Sequence, residues 1–401
     1  MEAKERRYDV DWLRVIAFYL LIFFHAGMFF VPWQFHFKNP QTSEWFETWM
    51  AFLHYWRLPL LFMISGIGVS YALGKRSPLK FVGERFKRLF IPLIFGMLVI
   101  IPPQIYFERL TQGVHFGSYF DFWKTVFEFK PYPLGGALSW HHLWFILYIL
   151  FYSLVGLPFF LFFRSKYAVG IRERISRFVM KHPNTIYTIM ISLAFCYFYL
   201  RPMFPVTHGM FDDWYNHAES FIFFLSGYLF ASIDGVWNVI VEQRKKSLIM
   251  GVVPALFLIL FVWGPTFYIM NEKTEAFGLF YGTLIQFMVP GILFSVLGYG
   301  KILLNKPSRL LSYANESVYP LYILHQSVQL SIGYFILQLN WGILPKFILV
   351  VIGTFGLSLL IYELLIRRFN VMRLLFGLKF RSGVKQEKNI RETQPVFEEG
   401  R

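Results

Sequence analysis

The stretch Asp9-Val-Asp-Trp-Leu-Arg14-Val-Ile-Ala-Phe-Tyr-Leu-Leu-Ile-Phe-Phe-His25 begins the first long apolar run of the chain. Arg14 and His25 are eleven positions apart, which in an α-helix puts them on one face, separated by about 16 Å along the axis. Alone, Arg14 is typical of an anchor at the membrane surface. An ionisable group as deep as His25 can be satisfied by a neighbouring helix, but by default it indicates a functional site.

The composition is that of an integral membrane protein. Of the 401 residues, 56% are hydrophobic and only 16% are charged, which is far from the balance of a soluble domain. Cys196 is the single cysteine, so an intramolecular disulfide and a thiolate-rich metal site are excluded. The ligand pairs His-x-x-x-His and Glu-x-x-His are also missing, and we therefore expect no metal.

Apolar runs of about 17 to 25 residues predict an all-α, polytopic protein with about ten transmembrane helices. The runs lie near residues 12–32, 50–73, 89–107, 143–163, 185–201, 218–233, 247–264, 277–299, 318–338 and 344–366. With both termini cytoplasmic, 31 of the 39 Lys and Arg fall in inner segments and 7 in outer loops. This is the distribution expected from the positive-inside rule, and it explains the net charge of +15 without a nucleic-acid partner.

The domain organisation is simple. We expect residues 1–370 to form one transmembrane domain and residues 371–401 to form a basic cytoplasmic tail attracted to anionic lipid headgroups. The charge pattern of the tail is basic and then mixed. A separate soluble domain is not predicted.

The second span carries polar residues with two open interpretations. His54 and Arg57 share a helix face, and they either line a polar cavity at its outer mouth or anchor the span at the interface. Further along, Ser65-Gly66 is echoed by a Ser-Gly pair at 226–227 in the sixth span. Small pairs usually permit close helix contact, so we expect packing at both, with Ser65 as a weaker site candidate.

Several motifs together resemble one known family. They are Arg14 and His25 with ten residues between them, Arg85-Phe-Lys-Arg88 after the second span, His142-Leu-Trp-Phe at the fourth, and Tyr322-Ile-Leu-His325 in the ninth. The chain resembles the membrane acyltransferase family 3, whose multispanning members move an acyl group, usually from a coenzyme A thioester, onto sugars and other acceptors. Within it, the chain is most similar to the subgroup linked to succinylation of periplasmic glucans at the bacterial inner membrane.

The resemblance implies roles for particular residues. His25 is the expected catalytic base, and Arg14, Arg85 and Arg88 are expected to bind the phosphates of the acyl donor. His54, Arg57, Ser65, His142 and His325 are candidates for a cavity or an acceptor site. The expected partners are acyl-coenzyme A as cosubstrate, with no further cofactor, a carbohydrate acceptor and the lipid bilayer. The acyl group is expected to be succinyl or acetyl, and oligomeric state stays open.

The sequence also leaves alternative functions open and contains further polar residues outside these motifs. A transporter or flippase for a polar lipid or sugar is the alternative function, although such folds commonly place acidic residues at mid-membrane; a nonenzymatic scaffold comes third. Asp212, Asp213 and His217 are expected in a solvated outer loop, and His141 is expected at the interface. Glu363 and Arg367, four apart, predict an intrahelical ion pair.

Overall fold

The computed structural model describes residues 6–264 and 274–381, and each named element within these ranges is helical. The α-helices are α1 (Tyr8–Gly27), α2 (Glu44–Gly74), α3 (Pro78–Arg85), α4 (Ile91–Phe95), α5 (Pro102–Thr111), α6 (Tyr119–Lys124), α7 (Trp144–Val155), α8 (Leu157–Arg164), α9 (Val169–Lys181), α10 (Ile189–Phe195), α11 (Trp214–Ser232), α12 (Val236–Glu242), α13 (Arg244–Phe261), α14 (Glu275–Leu303), α15 (Arg309–Ile336), α16 (Ile343–Ile361) and α17 (Asn370–Leu375). Short 3₁₀ or π turns join several of them. The prediction of an all-α membrane protein is confirmed.

Six helical segments in the described ranges are long and apolar enough to cross a membrane. They are Tyr8–Phe30, Glu44–Gly74, Pro78–Thr111, Pro183–Leu200, Glu275–Leu303 and Ile343–Ile366. Two bent pairs, His141–Val155 with Leu157–Arg164 and Trp214–Ser232 with Val236–Glu242, make eight if each pair crosses as one span. The predicted count of ten and the cytoplasmic termini stay predictions.

The other two predicted spans correspond to α13 and α15, which carry more polar side chains. Arg244, Lys245 and Lys246 begin α13, and α15 buries His325 and Gln326 among other polar side chains. These polar residues lower the mean hydropathy of a helix below that of a span that faces lipid. In α15 the polar side chains face protein, which is where such groups are tolerated at membrane depth.

Serine caps fix where several helices begin. Ser43, Ser77 and Ser308 each accept a hydrogen bond from the backbone N–H three residues further on. This side-chain oxygen satisfies one of the donors that a helix leaves free at its N-terminus. Pro78 follows Ser77 at the first helical position, where its fixed φ suits the helix and its missing N–H is harmless.

The two Ser-Gly pairs bring α2 and α11 into backbone contact. A Cβ at Gly66 would lie 1.8 Å from the carbonyl oxygen of Phe224, and a Cβ at Gly227 would lie 1.9 Å from that of Met63. Only glycine permits this approach, because any side chain would overlap the opposing backbone. The packing interpretation of both pairs is therefore confirmed.

The first helix lies at the centre of the bundle and packs against α2, α14, α15 and α16. Its Phe18 ring contacts Tyr322 of α15 at 5.0 Å and Phe145 of α7 at 6.1 Å between centroids. Helix α15 also packs against α5 and α16. This arrangement places the motifs of α1, α7 and α15, which lie far apart in the chain, around one core.

The start of the predicted C-terminal tail packs on the bundle. Arg373 of α17 is buried and donates to the Glu316 carboxylate of α15 at 2.7 Å. Its Nε also donates to the carbonyl oxygen of Lys379 at 2.6 Å. Residues 382–401 of the predicted tail lie outside the described residues.

Candidate functional site

One end of α1 is tied to α15 by Arg14. Its Nη2 atom donates to the Asp11 carboxylate and to the side-chain oxygen of Asn315, each at 2.5 Å. The Arg14 side chain is 35% exposed, so its charge is reachable from outside the bundle. Arg14 is therefore a positioned cation rather than a freely moving surface anchor.

Two further guanidinium groups lie near Arg14. Arg88 is close enough to Arg14 for their charges to interact, and Arg85 is close to Arg88. The phenol of Tyr319 donates to the carbonyl oxygen of Arg88 at 2.9 Å, and the Arg85 guanidinium lies 4.7 Å from the Phe81 ring centre. Among the described residues, neither Arg85 nor Arg88 has a carboxylate at ion-pair distance. The structure thus gathers Arg14, Arg85 and Arg88 into one positive cluster, called here the arginine cluster.

At the other end of α1, His25 faces His325 of α15. His325 Nδ1 lies 2.5 Å from the carbonyl oxygen of Tyr322, which can only accept, so this nitrogen carries a proton. In neutral His325, Nε2 is then an acceptor, and it lies 3.4 Å from Nδ1 of His25. His25 therefore donates from Nδ1 and keeps its lone pair on Nε2, the tautomer that a general base requires.

His142 completes a group of three imidazoles. Its ring lies 5.1 Å from that of His325, and its Nε2 is 3.0 Å from the carbonyl oxygen of Ile323, which fixes the proton on Nε2. Its Nδ1 then accepts from the Gln104 amide at 3.2 Å, and the same amide donates to Ser327 at 2.7 Å. We call His25, His142 and His325 the histidine cluster.

Arg57 is a buried cation beside the histidine cluster. It is 2% exposed, and its guanidinium lies 3.4 Å from the ring centre of Phe24, the neighbour of His25. Its Nε and Nη1 atoms have no hydrogen-bond partner, and its charge reaches both His25 and His325. A buried charge with free donors suits an anion that arrives with a substrate.

One turn from Arg57, His54 faces a cavity of about 140 Å³. The polar groups around this cavity include Arg201, Glu219 and His208, and burial lowers the pKa of His208 in its outer loop. Aromatic and polar side chains together are typical of a small-molecule site. His54 therefore lies on the wall of this cavity, and a role in binding a substrate there stays a prediction.

Ser65 does not join these groups through the contacts of its hydroxyl. That hydroxyl donates to the carbonyl oxygen of Leu61 at 2.7 Å, one turn earlier in α2. Such a bond inside a helix fits the packing role of the neighbouring Gly66. Ser65 thus belongs to the α2–α11 crossing.

The expectation of a solvated loop around Asp213 is wrong. Asp213 is fully buried and accepts from the Tyr148 hydroxyl at 2.6 Å, the Asn216 amide at 2.7 Å and the backbone N–H groups of Thr207 and His208 at 3.0 Å. These bonds satisfy the carboxylate without water, which is why it can be buried. Asp213 holds the loop before α11 in shape.

A second polar group joins three segments that are distant in the chain, and no local spacing in the sequence marks it. His36 follows α1, Glu108 belongs to α5 and His141 precedes α7, yet their ligand-forming atoms lie within 4.8 Å of one another. His36 Nδ1 contacts the Glu108 carboxylate, and the Tyr132 hydroxyl donates to the other carboxylate oxygen at 2.6 Å. Burial and the Glu108 charge raise the pKa of Tyr132, so its phenol stays protonated as the donor.

Two remaining predictions are simple to place. Cys196 is free and buried, in keeping with a packing role. Arg367 donates to both carboxylate oxygens of Glu363 at 3.0 and 2.9 Å, so the predicted intrahelical ion pair is confirmed.

Comparison with known proteins identifies the family of the chain. The family model for an acyltransferase domain, acyltransferase 3, matches residues 7–363. Glucans biosynthesis protein C of Salmonella paratyphi B is 26% identical over 404 aligned residues, which cover 95% of this chain and 97% of the relative. The protein of that name from Salmonella typhi is 25% identical over 395 residues, with the same coverage. No solved structure matches the chain. The protein belongs to the acyltransferase 3 family and is a membrane acyltransferase.

Proposed function

We propose that this enzyme is an O-acyltransferase that moves a succinyl or acetyl group from cytoplasmic acyl-coenzyme A to a hydroxyl of a glucan or another extracytoplasmic carbohydrate. The observation that carries the proposal is the pairing of the arginine cluster and the histidine cluster at the two ends of α1. The name of the relatives, glucans biosynthesis protein C, supports a glucan acceptor.

The arginine cluster is suited to the phosphates of the donor. Three guanidinium groups with the carboxylates of Asp11 and Glu84 nearby leave a net positive site, and guanidinium forks bind phosphate oxygens in pairs. The rise of α1 from Arg14 to His25 is about 16 Å. This length is comparable to the reach of a pantetheine arm, so the thioester arrives near His25 while the phosphates stay in water.

His25 supplies the base. Its Nε2 takes the proton of the acceptor hydroxyl as that oxygen attacks the thioester carbonyl carbon. The tetrahedral oxyanion accepts from the free donors of Arg57. The carbon–sulfur bond then breaks, and the coenzyme A thiolate leaves with the proton from His25. A positioned base of this kind contributes roughly 10²- to 10⁴-fold to the rate.

The other candidates divide into positioning and acceptor roles. His325 fixes the tautomer of His25, and His142 borders His325 from the side of α7. The cavity beside His54 receives the acceptor. Ser65 has no part in this scheme.

The proposal includes a topology. Eight candidate spans together with α13 and α15 give ten, with both termini and the tail 371–401 on the cytoplasmic side of a bacterial inner membrane. Lys and Arg fall mainly in the inner segments of this arrangement, as the positive-inside rule requires.

The test is acyl transfer by the purified protein in nanodiscs. Succinyl-, acetyl- and longer acyl-coenzyme A are each incubated with a linear or cyclic glucan, and acylated glucan and free coenzyme A are measured by mass spectrometry. We expect one short acyl donor to be consumed with equal amounts of both products. Arg174→Ala, an exposed change on α9, is the matched control for arginine variants. Transport of labelled glucan without acylation from any donor would contradict the proposal.

A further inference from the structure

The cluster of His36, Glu108 and His141 has the composition of a zinc site. Two imidazoles and one carboxylate are ligands that Zn²⁺ takes, with a fourth position left for water or another oxygen. Glu108 is 6% exposed, so its carboxylate is not one of the solvated acidic groups that abound on protein surfaces. The ligand-forming atoms of the three residues lie within 4.8 Å of one another.

The spacing of the two imidazoles fits one shared ion. With Zn–N bonds of about 2.0 to 2.1 Å and a near-tetrahedral angle, two ring centres on one zinc are about 5 Å apart. The ring centres of His36 and His141 are 5.0 Å apart, with planes inclined by 16°. Because these near-parallel planes do not pass through one point, a shared ion requires one imidazole to turn about its Cβ–Cγ bond.

Two buried polar atoms in this cluster lack partners. His141 Nε2 and Gln326 Oε1 make no hydrogen bond, and a buried polar atom without a partner needs an explanation. The Gln326 amide lies beside His36, with its nitrogen 3.1 Å from His36 Nε2. Because the amide oxygen and nitrogen are assigned from their contacts, a half-turn of the amide presents Oε1 to a protonated His36 Nε2.

Zinc binding then moves His36 Nδ1 away from the Glu108 oxygen that it contacts, because two ligand atoms of one tetrahedral zinc lie about 3.3 Å apart. His36 Nδ1 loses its proton and becomes a free ligand atom, held through its Nε2–H by Gln326. His141 Nδ1 lies 2.5 Å from the Ser139 hydroxyl, which leaves the unpartnered Nε2 for the ion. The second oxygen of Glu108 is held by Tyr132. Each ligand then has the outer hydrogen bond that orients metal ligands in proteins.

We infer that His36, Glu108 and His141 form a Zn²⁺ site that joins the segment after α1, helix α5 and the start of α7 on the outer side of the histidine cluster. Gln326 lies within hydrogen-bonding reach of both His36 and His25, so the ion sits beside the catalytic region. The inference goes beyond the proposed acyl transfer and does not depend on it.

The test is zinc binding by the full chain in detergent, without any substrate. The protein is stripped with a chelator, dialysed against metal-free buffer and titrated with Zn²⁺, and bound metal is measured by inductively coupled plasma mass spectrometry. We expect about one zinc per chain and, with Co²⁺ in its place, the visible absorption of a tetrahedral ion. Because no substrate is used, failure here leaves the acyl-transfer proposal standing.

Variants locate the site. We expect Glu108→Gln and His141→Ala to abolish stoichiometric binding, and Ser139→Ala to weaken it by about 10- to 100-fold through the loss of an outer hydrogen bond. His115→Ala, an exposed histidine in the outer loop after α5, should bind as the wild type does. Ser139→Ala keeps the test valid if a ligand variant fails to fold. Wild-type protein that retains no more zinc than folded Glu108→Gln would overturn the inference.

Discussion

The two ends of α1 carry different kinds of ionisable group. The arginine cluster holds permanent charges that are partly exposed and have few carboxylates nearby, whereas the histidine cluster holds imidazoles whose protons are fixed by backbone carbonyl oxygens. Permanent charge suits a polyphosphate that stays in water. An oriented lone pair suits proton transfer deep in the bundle. This difference is the basis of our proposal that donor binding and chemistry are divided between the two ends of one helix.

Loss of the base should give the largest effect. We expect His25→Ala to lower the rate of acyl transfer by about 10²- to 10⁴-fold, with the affinity for acyl-coenzyme A unchanged because the arginine cluster is intact. Rates come from steady-state product formation, and affinity from equilibrium binding. His182→Ala, an exposed histidine after α9, is the control. If the affinity for acyl-coenzyme A falls as much as the rate, His25 also binds the donor, and the proposed separation of donor binding from chemistry is wrong.

The arginine cluster should show the reverse pattern. We expect Arg85→Ala and Arg88→Ala each to weaken acyl-coenzyme A binding by about 10- to 150-fold, the value of a charged hydrogen bond, with little change in the rate from the bound state. Binding should weaken further as salt is raised, since exposed charges are screened. Arg174→Ala should keep wild-type affinity, and an equal loss in that variant would mean that general surface charge binds the donor.

A variant of His325 tests whether this residue orients His25 within the histidine cluster. Its proposed role is to fix the tautomer of His25, so we expect His325→Ala to lower kcat by up to about 100-fold, as loss of orientation does, with KM for the donor little changed. His325→Gln retains an acceptor oxygen and should recover part of kcat. Equal kcat in both variants would show that His325 has no orienting role.

The smallest expected effect concerns the close packing of α2 against α11. Gly66→Ala forces a methyl group against the backbone of Phe224, and we expect it to lower the free energy of unfolding by about 1 to 3 kcal/mol. Gly68→Ala, two residues away, meets nothing within 4 Å and should leave stability equal or slightly higher because alanine favours helix. Melting temperatures in detergent measure both. Equal destabilisation would contradict the close crossing of α2 and α11.

Sequence analysis reached the parts of the site that follow from helical periodicity. Arg14 and His25 lie on one helix as their spacing requires, and His325 faces His25 as its depth suggested. Part of the arginine cluster was also foreseeable, because Arg85 and Arg88 recur within one turn. Periodicity and composition carry this information, since they are local properties of the chain.

The remaining parts depend on contacts between distant segments. His36, Glu108 and His141 meet only because three outer segments converge, so no local spacing marks them. Asp213 was expected in solvent, but a set of donors from its own loop and α7 buries it. In each case tertiary partners override the local preference.

The most direct test of the central claim compares His25→Ala and Arg88→Ala in one experiment. Acyl-coenzyme A is bound to excess purified enzyme at equilibrium, glucan is added, and a single turnover is followed by rapid quench. The account predicts full donor binding with almost no transfer for His25→Ala, and weak binding with a near-normal rate from the bound fraction for Arg88→Ala. If both variants change the same quantity, or neither quantity changes, donor binding and chemistry are not divided between the two ends of α1.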